Sequence, residues 1–347
     1  MSRLMLVICF YIFTHIFTCT VCENTDATII YKPNDPVADA QVLRAAMKGW
    51  GTTEADLIRI LGGRTGRQRA AITAAYKTNI KRDLIEDIKD DTGDTFEDIL
   101  VDLTYSVEEY LAREINWALK ENKLDYIDII CTCTGNELQQ IKAVYFNVFK
   151  VTLSFDIENK VKYVPTRMLL LRIVAGFDLP YRCNDDFNEK TVKTYKKCIP
   201  DKQGDCTVET NGEFFTLMSK ESFRQIQAVV KDYNADESNK DHPVTARIEE
   251  FCEDKGLKRA YTTIASFSEN SAKYFAVQLK DAIKGLGTNE KVLNRIIIWR
   301  CEIDLVKIEE AFFDLTHQSL EKWVKGDTTG DYESVLIKLI RGNRKDK

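Results

Sequence analysis

The chain has 347 residues, 44% of them hydrophobic and 30% charged, with a formal net charge of −5, long enough for a large core in one long domain or two. The mildly acidic balance and the absence of a basic stripe exclude a general nucleic-acid binder and set the chain against anionic surfaces unless cations intervene. Three histidines (His15, His242 and His317) and no His-Glu-x-x-His, Gly-x-Ser-x-Gly or P-loop pattern leave few candidate parts for a zinc site or a His-dependent triad and no phosphate-loop signature, so an enzyme is not expected.

Residues 1–22 hold Arg3 and then an uncharged run from Leu4 to Cys22, which reads as a secretory signal peptide. The run nearly suffices to span a bilayer, making a retained anchor the alternative, but Thr14, His15, Thr18 and Thr20 dilute it. A secreted chain, or one at an outer membrane surface, follows; a cytoplasmic protein peripheral to membranes is the alternative. Residues 23–36 form a tail.

From Val37 onward the pattern predicts short amphipathic helices joined by tight turns, with little strand-like alternation. The first unit, 37–104, opens with a helix and then Met47-Lys48-Gly49-Trp50-Gly51-Thr52. A threonine cap with Glu54 in the first turn marks the next helix, whose apolar face is Leu57, Ile60 and Leu61. The unit's later part carries Asp90-Asp91-Thr92-Gly93. A Gly-x-Gly loop adopts backbone angles that residues with a Cβ resist, so it can turn several carbonyls toward one point. Carbonyls are hard ligands, and a distant carboxylate completes a set suited to calcium.

The second unit, 105–177, has Leu119-Lys120-Glu121-Asn122-Lys123 at the loop position and, 44 residues after Leu119, Tyr163. No glycine pair and no acid remain, so this site is expected to be lost. Residues 178–206, with Pro180, Pro200, Cys183, Cys198 and Cys206, read as an exposed linker. In the third unit, 207–268, the aligned region Lys202-Gln203-Gly204-Asp205-Cys206 keeps one glycine, and Glu253-Asp254-Lys255-Gly256 is an incomplete acid loop; metal binding is not expected there. The fourth unit, 269–342, restores the pattern with Ile283-Lys284-Gly285-Leu286-Gly287-Thr288 and Asp327. From 47 to 91 and from 283 to 327 the gap is 44 residues in both cases.

Four related segments mark the repeat: Ile72-Thr73-Ala74-Ala75-Tyr76, Ile141-Lys142-Ala143-Val144-Tyr145, Ile226-Gln227-Ala228-Val229-Val230 and Ile308-Glu309-Glu310-Ala311-Phe312. Their spacing suits a module of about five short helices. Such helices need neighbours to bury their stripes, which argues for one compact assembly.

Over roughly residues 33 to 342 these motifs resemble the annexin family, whose repeats carry a Lys-Gly-x-Gly-Thr loop and a later acid; the likeness is sharp in the first and fourth units and faint between. The resemblance implies an all-α fold of four five-helix repeats packed as a slightly curved disc, whose convex face binds acidic, phosphatidylserine-like phospholipid through Ca2+. First and fourth units would then be neighbours. A signal-like segment is unusual for this family.

In the first site the expected ligands are the carbonyls of Met47, Gly49 and Gly51 with the Asp91 carboxylate. Asp90 is the alternative acid: counting from Gly93 favours Asp90, and counting from Met47 or Phe96 favours Asp91. In the fourth unit the carbonyls of Ile283, Gly285 and Gly287 act with Asp327. One carboxylate per site predicts weak calcium affinity without lipid, on the order of 10⁻⁴ M. Trp50 and Leu286 at the loop tips are candidate membrane contacts, as are Lys48 and Lys284. Lys325-Gly326-Asp327 looks like an adhesion tripeptide, but its acid is already the metal candidate. Asp90 to Asp98 lacks the EF-hand order.

Cleavage after Cys22 leaves seven cysteines. Cys183, Cys198 and Cys206 are expected to offer a local bridge in the linker, whereas Cys131, Cys252 and Cys301 are read as buried thiols. The Cys131-x-Cys133 pair has no second pair to complete a zinc site. The rival to lipid binding is a helical scaffold using residues 178–206 for a protein partner or a disulfide-linked dimer.

Overall fold

The computed structural model describes residues 25–49, 51–175, 187–285 and 287–344. The signal-like segment 1–22, Trp50, Leu286, Pro180 and Cys183 lie outside the described residues. Twenty α-helices and no strand occur within them.

The helices fall into four groups of five. Unit one comprises α1 (Pro36–Ala46), α2 (Glu54–Leu61), α3 (Gly66–Ala75), α4 (Leu84–Asp91) and α5 (Asp94–Thr104). Unit two comprises α6 (Val107–Lys120), α7 (Asp125–Thr132), α8 (Gly135–Phe149), α9 (Leu153–Lys160) and α10 (Val164–Ala175). Unit three has α11 (Glu189–Lys196), α12 (Gly212–Lys220), α13 (Phe223–Ala235), α14 (Val244–Phe251) and α15 (Lys255–Glu269). Unit four has α16 (Ser271–Ile283), α17 (Glu290–Arg300), α18 (Leu305–Thr316), α19 (Leu320–Asp327) and α20 (Gly330–Arg341). The stretch 178–206, read as a linker, thus contains α11, whose Val192 is buried.

Local chemistry sets the boundaries. Asp35 caps α1 with Pro36 at its first position, the placement that suits a residue lacking an N–H. Thr65 with Gln68 and Thr134 with Glu137 form reciprocal capping boxes at the starts of α3 and α8. The expected start of α2 at Glu54 holds, but Thr53 makes no capping bond. The neighbouring Thr52 hydroxyl is used elsewhere, as described below. The repeat-marking residues Ile72, Ile141, Ile226 and Ile308 each sit on the third helix of a unit and are fully buried.

Units two and three pack through α15 against α7 and α10, and units four and one through α20 against α2 and α5. A strap from the N-terminal tail reinforces the second junction: Thr28 and Ile29 donate their N–H groups to the Cys301 carbonyl at 2.8 and 2.9 Å, and the Thr28 hydroxyl donates to the Leu339 carbonyl at 2.7 Å. Between the pairs, buried Arg295 of α17 faces Asp125 at 3.3 Å and Asp128 at 3.7 Å on α7, while Arg259 of α15 pairs with the same Asp128. Asp128 is itself buried, and a buried carboxylate is costly without such partners.

Candidate functional site

Each unit brings two connections to one place: that between its first and second helices and that after its fourth helix. In unit one the first connection covers seven residues, 47–53. Gly49 and Gly51 take φ of 115° and 88°, angles that a side-chain-bearing residue rarely adopts. Unit four repeats this with Gly285 at 135° and Gly287 at 96°. The loops close in one register, Thr53 N–H to the Ala46 carbonyl at 2.9 Å and Asn289 N–H to the Ala282 carbonyl at 2.8 Å. Met47 and Ile283 are buried beneath, leaving Lys48 and Lys284 exposed.

The acid arrives on the fourth helix. Asp91 is the last residue of α4 and Asp327 the last of α19, both helices being eight residues long. The Thr52 hydroxyl donates to the Asp91 carbonyl at 3.0 Å, tying loop to helix end. Thr288 lies within reach of both the carbonyl and the carboxylate of Asp327. These threonines were not assigned a role from sequence, although both stand five residues after the start of their loop motif, which was the available signal.

Asp91 Oδ2 is buried and has no hydrogen-bond partner among the described residues, whereas the alternative acid Asp90 is exposed. A buried, unpartnered carboxylate oxygen is costly unless a cation completes it. The described residues contain no cluster of three His, Cys, Asp or Glu side chains poised for a metal, so an ion here depends on main-chain oxygens. One carboxylate beside the carbonyls of a glycine loop is the kind of hard oxygen donor set that suits calcium.

The middle units fill the same place differently. In unit two the first connection is only four residues, 121–124, three fewer than in unit one. Counting 44 residues from Leu119 therefore overshoots: the helix-end position is Lys160, the last residue of α9, and Tyr163 lies three residues further on, just before α10. The Lys160 ammonium turns back along its helix to Asp156 at 2.9 Å. Asp156 needs it, because Asn116 stands where unit one has Arg44, the partner of the matching Asp87.

In unit three the helix-end residue is Phe251, whose carbonyl accepts from Gly204 N–H at 2.9 Å. A disulfide from Cys206 to Cys252 locks the two connections together. Cys252 is thus bridged rather than a buried thiol, and Cys206 pairs across the unit rather than within the 178–206 stretch; Cys198 and Cys301 are buried thiols. The bridge forms because the fold brings the fourth helix's end onto the loop, a proximity invisible in a separation of 46 residues. The two acids are already engaged: Glu253 accepts from Gln203 at 3.0 Å, and Asp254 caps α15 and accepts from Thr166.

Comparison with known proteins yields the same division. The family model for Annexin matches residues 38–103 and 274–339, stretches within units one and four. Annexin B10 of Drosophila melanogaster is 33% identical over 316 residues, covering 89% of this chain and 95% of that protein. The solved structure of annexin III superposes with a TM-score of 0.81 at 27% identity, over 92% of this chain and 98% of that one. Calcium-bound annexin (Sm)1 gives a TM-score of 0.74 at 25% identity, over 90% and 92%.

Proposed function

Because the chain belongs to the annexin family, whose members are generally non-enzymatic, calcium-dependent membrane-binding proteins, we propose that it binds acidic phospholipid through Ca2+ held at the loops of units one and four. The Met47, Gly49 and Gly51 carbonyls with Asp91, and the Ile283, Gly285 and Gly287 carbonyls with Asp327, are the residues for it. The observation that carries this reading is the buried Asp91 Oδ2 without a partner among the described residues, on a helix end to which the glycine loop is tied. That burial also favours Asp91 over exposed Asp90 as the ligand.

Bound calcium supplies positive charge and open coordination positions for phosphate oxygens. The chain's part is to hold loop and carboxylate together, through Thr52 and Thr288, and to expose Lys48 and Lys284 toward headgroups. With net charge −5, it would be repelled from an anionic bilayer without the ion. No helix among the described residues is long and apolar enough to cross a membrane, in keeping with binding at the surface.

Sedimentation with phosphatidylserine vesicles tests this directly. Wild-type chain should pellet with calcium and be released by chelator. Asp91→Ala or Asp327→Ala should each raise the calcium required about tenfold, and the double variant should hardly bind, because a charge-assisted ligand lost from a hard-cation site costs about 1.5–3 kcal/mol. Full binding by the double variant overturns the assignment.

A further inference from the structure

Unit two has lost its metal ligands, yet its end of the ion-bearing face is apolar and basic. Tyr163 is 53% exposed, Val164 50% and Met168, one helical turn further along α10, 37%. Isolated apolar residues at a surface need no explanation, but these three fall within six residues on one connection and the helix it starts. The equivalent connections elsewhere are Thr92-Gly93, Cys252-Glu253-Asp254 and Thr328-Thr329, polar or bridged.

Position decides what this tip meets. It follows the end of α9, as Thr92 and Thr328 follow Asp91 and Asp327, so the repeat puts it on the face of the calcium loops. Three exposed lysines lie on the segments that adjoin it, α6 being packed against α9: Lys120 at the end of α6, Lys123 in the shortened connection and Lys162 beside Tyr163. Lys123 and Lys162 have no carboxylate partner among the described residues, and Lys120 lies 5.9 Å from the Phe149 ring. Of the nearby acids, Glu158 faces Arg167 at 3.8 Å, leaving Glu121 as opposing charge.

We propose that this tip is a metal-independent contact for an anionic lipid surface, with Tyr163 and Val164 entering the interface and Lys120, Lys123 and Lys162 facing headgroup phosphates. Tyrosine favours the boundary between hydrocarbon and water, and each lysine near an anionic surface contributes roughly a fivefold gain in binding. The inference rests on the membrane-binding reading above: calcium at units one and four brings the face to the bilayer, and unit two adds contact without an ion.

The test is equilibrium binding of the full chain to vesicles of phosphatidylserine and phosphatidylcholine in equal parts, at saturating calcium and rising salt. Lys120→Gln, Lys123→Gln and Lys162→Gln together should lower vesicle affinity by well over tenfold and flatten its salt dependence. Tyr163→Ser with Val164→Ser should lower it about tenfold with the salt dependence unchanged. Calorimetric titration with calcium in the absence of lipid should be the same for all three proteins, and their melting curves should coincide because every substituted side chain is exposed. Wild-type affinity and salt dependence in both variants would overturn the tip while leaving the calcium reading intact. A wild-type chain that ignores the vesicles in calcium would remove that reading, and the tip with it.

Discussion

Units one and four hold the connection after the first helix in a wide loop with two left-handed glycines; units two and three reach the same junction with a short turn and with a longer, disulfide-bridged segment. Every fourth helix ends with carbonyls lacking a helical partner. In unit one the Thr52 hydroxyl reaches that helix end, in unit four Thr288, and in unit three the Gly204 N–H. What varies is the remaining link: an aspartate at the helix end, whose Oδ2 in unit one is buried without a partner among the described residues, or a covalent bridge. In unit two the helix-end residue, Lys160, turns to the local duty of neutralising Asp156. The repeat preserves a place, and each unit fills it with different chemistry.

The most severe way to break this comparison is at the bridge. Cys252→Ser opens the Cys206–Cys252 link, whose loop of about 47 residues constrains the unfolded chain by up to about 4 kcal/mol. Thermal melting of the variant, or of reduced wild-type protein, should show unit three loosened while calcium binding at units one and four is retained. A variant as stable as wild type would mean that the loop is held without its disulfide.

A second change asks whether unit two lacks only an acid. Lys160→Asp restores a carboxylate at the helix end, but the connection remains three residues short and without glycine. Calorimetry should show no added calcium site, and stability should fall by about 2 kcal/mol because Asp156 then faces a like charge. A new site would show that glycine loops are dispensable.

The smallest effect lies away from the loops, where α5 packs against α17. Asp102 on α5 has its pKa pushed up to about 7, chiefly by burial, with Lys291 opposing the shift and Glu114 adding to it. The folded chain therefore keeps this proton up to about pH 7, whereas the unfolded chain releases it above about 4. Stability should rise by about 1–2 kcal/mol as pH falls from 7 toward 5.5. Asp102→Asn should remove that component in denaturant melts, with and without calcium alike. An unchanged slope would show that other groups set the pH response.

Much of this was legible in residue order. Helix caps, apolar stripes and the buried isoleucines within each third helix announced four all-helical modules, because those signals act over a few residues. The paired glycine loops, with an aspartate at constant spacing, marked the metal candidates for the same reason: both loops have nearly the same length, so counting works. Counting failed at Tyr163, where a connection three residues shorter moves the register to Lys160. It also missed α11, whose polar sequence between prolines resembles a loop and is helical with Val192 packed inward.

By itself, then, the sequence determined the helical class, the repeated module and which two units carry the glycine loop and acid proposed for calcium. Only the tertiary structure decided which acid has a buried oxygen without a partner among the described residues, which cysteines meet, and what stands at the helix end of the other two units. Those depend on contacts between segments some 40 residues apart, and a residue's neighbours across such a distance are set by the packing of whole helices rather than by local propensity.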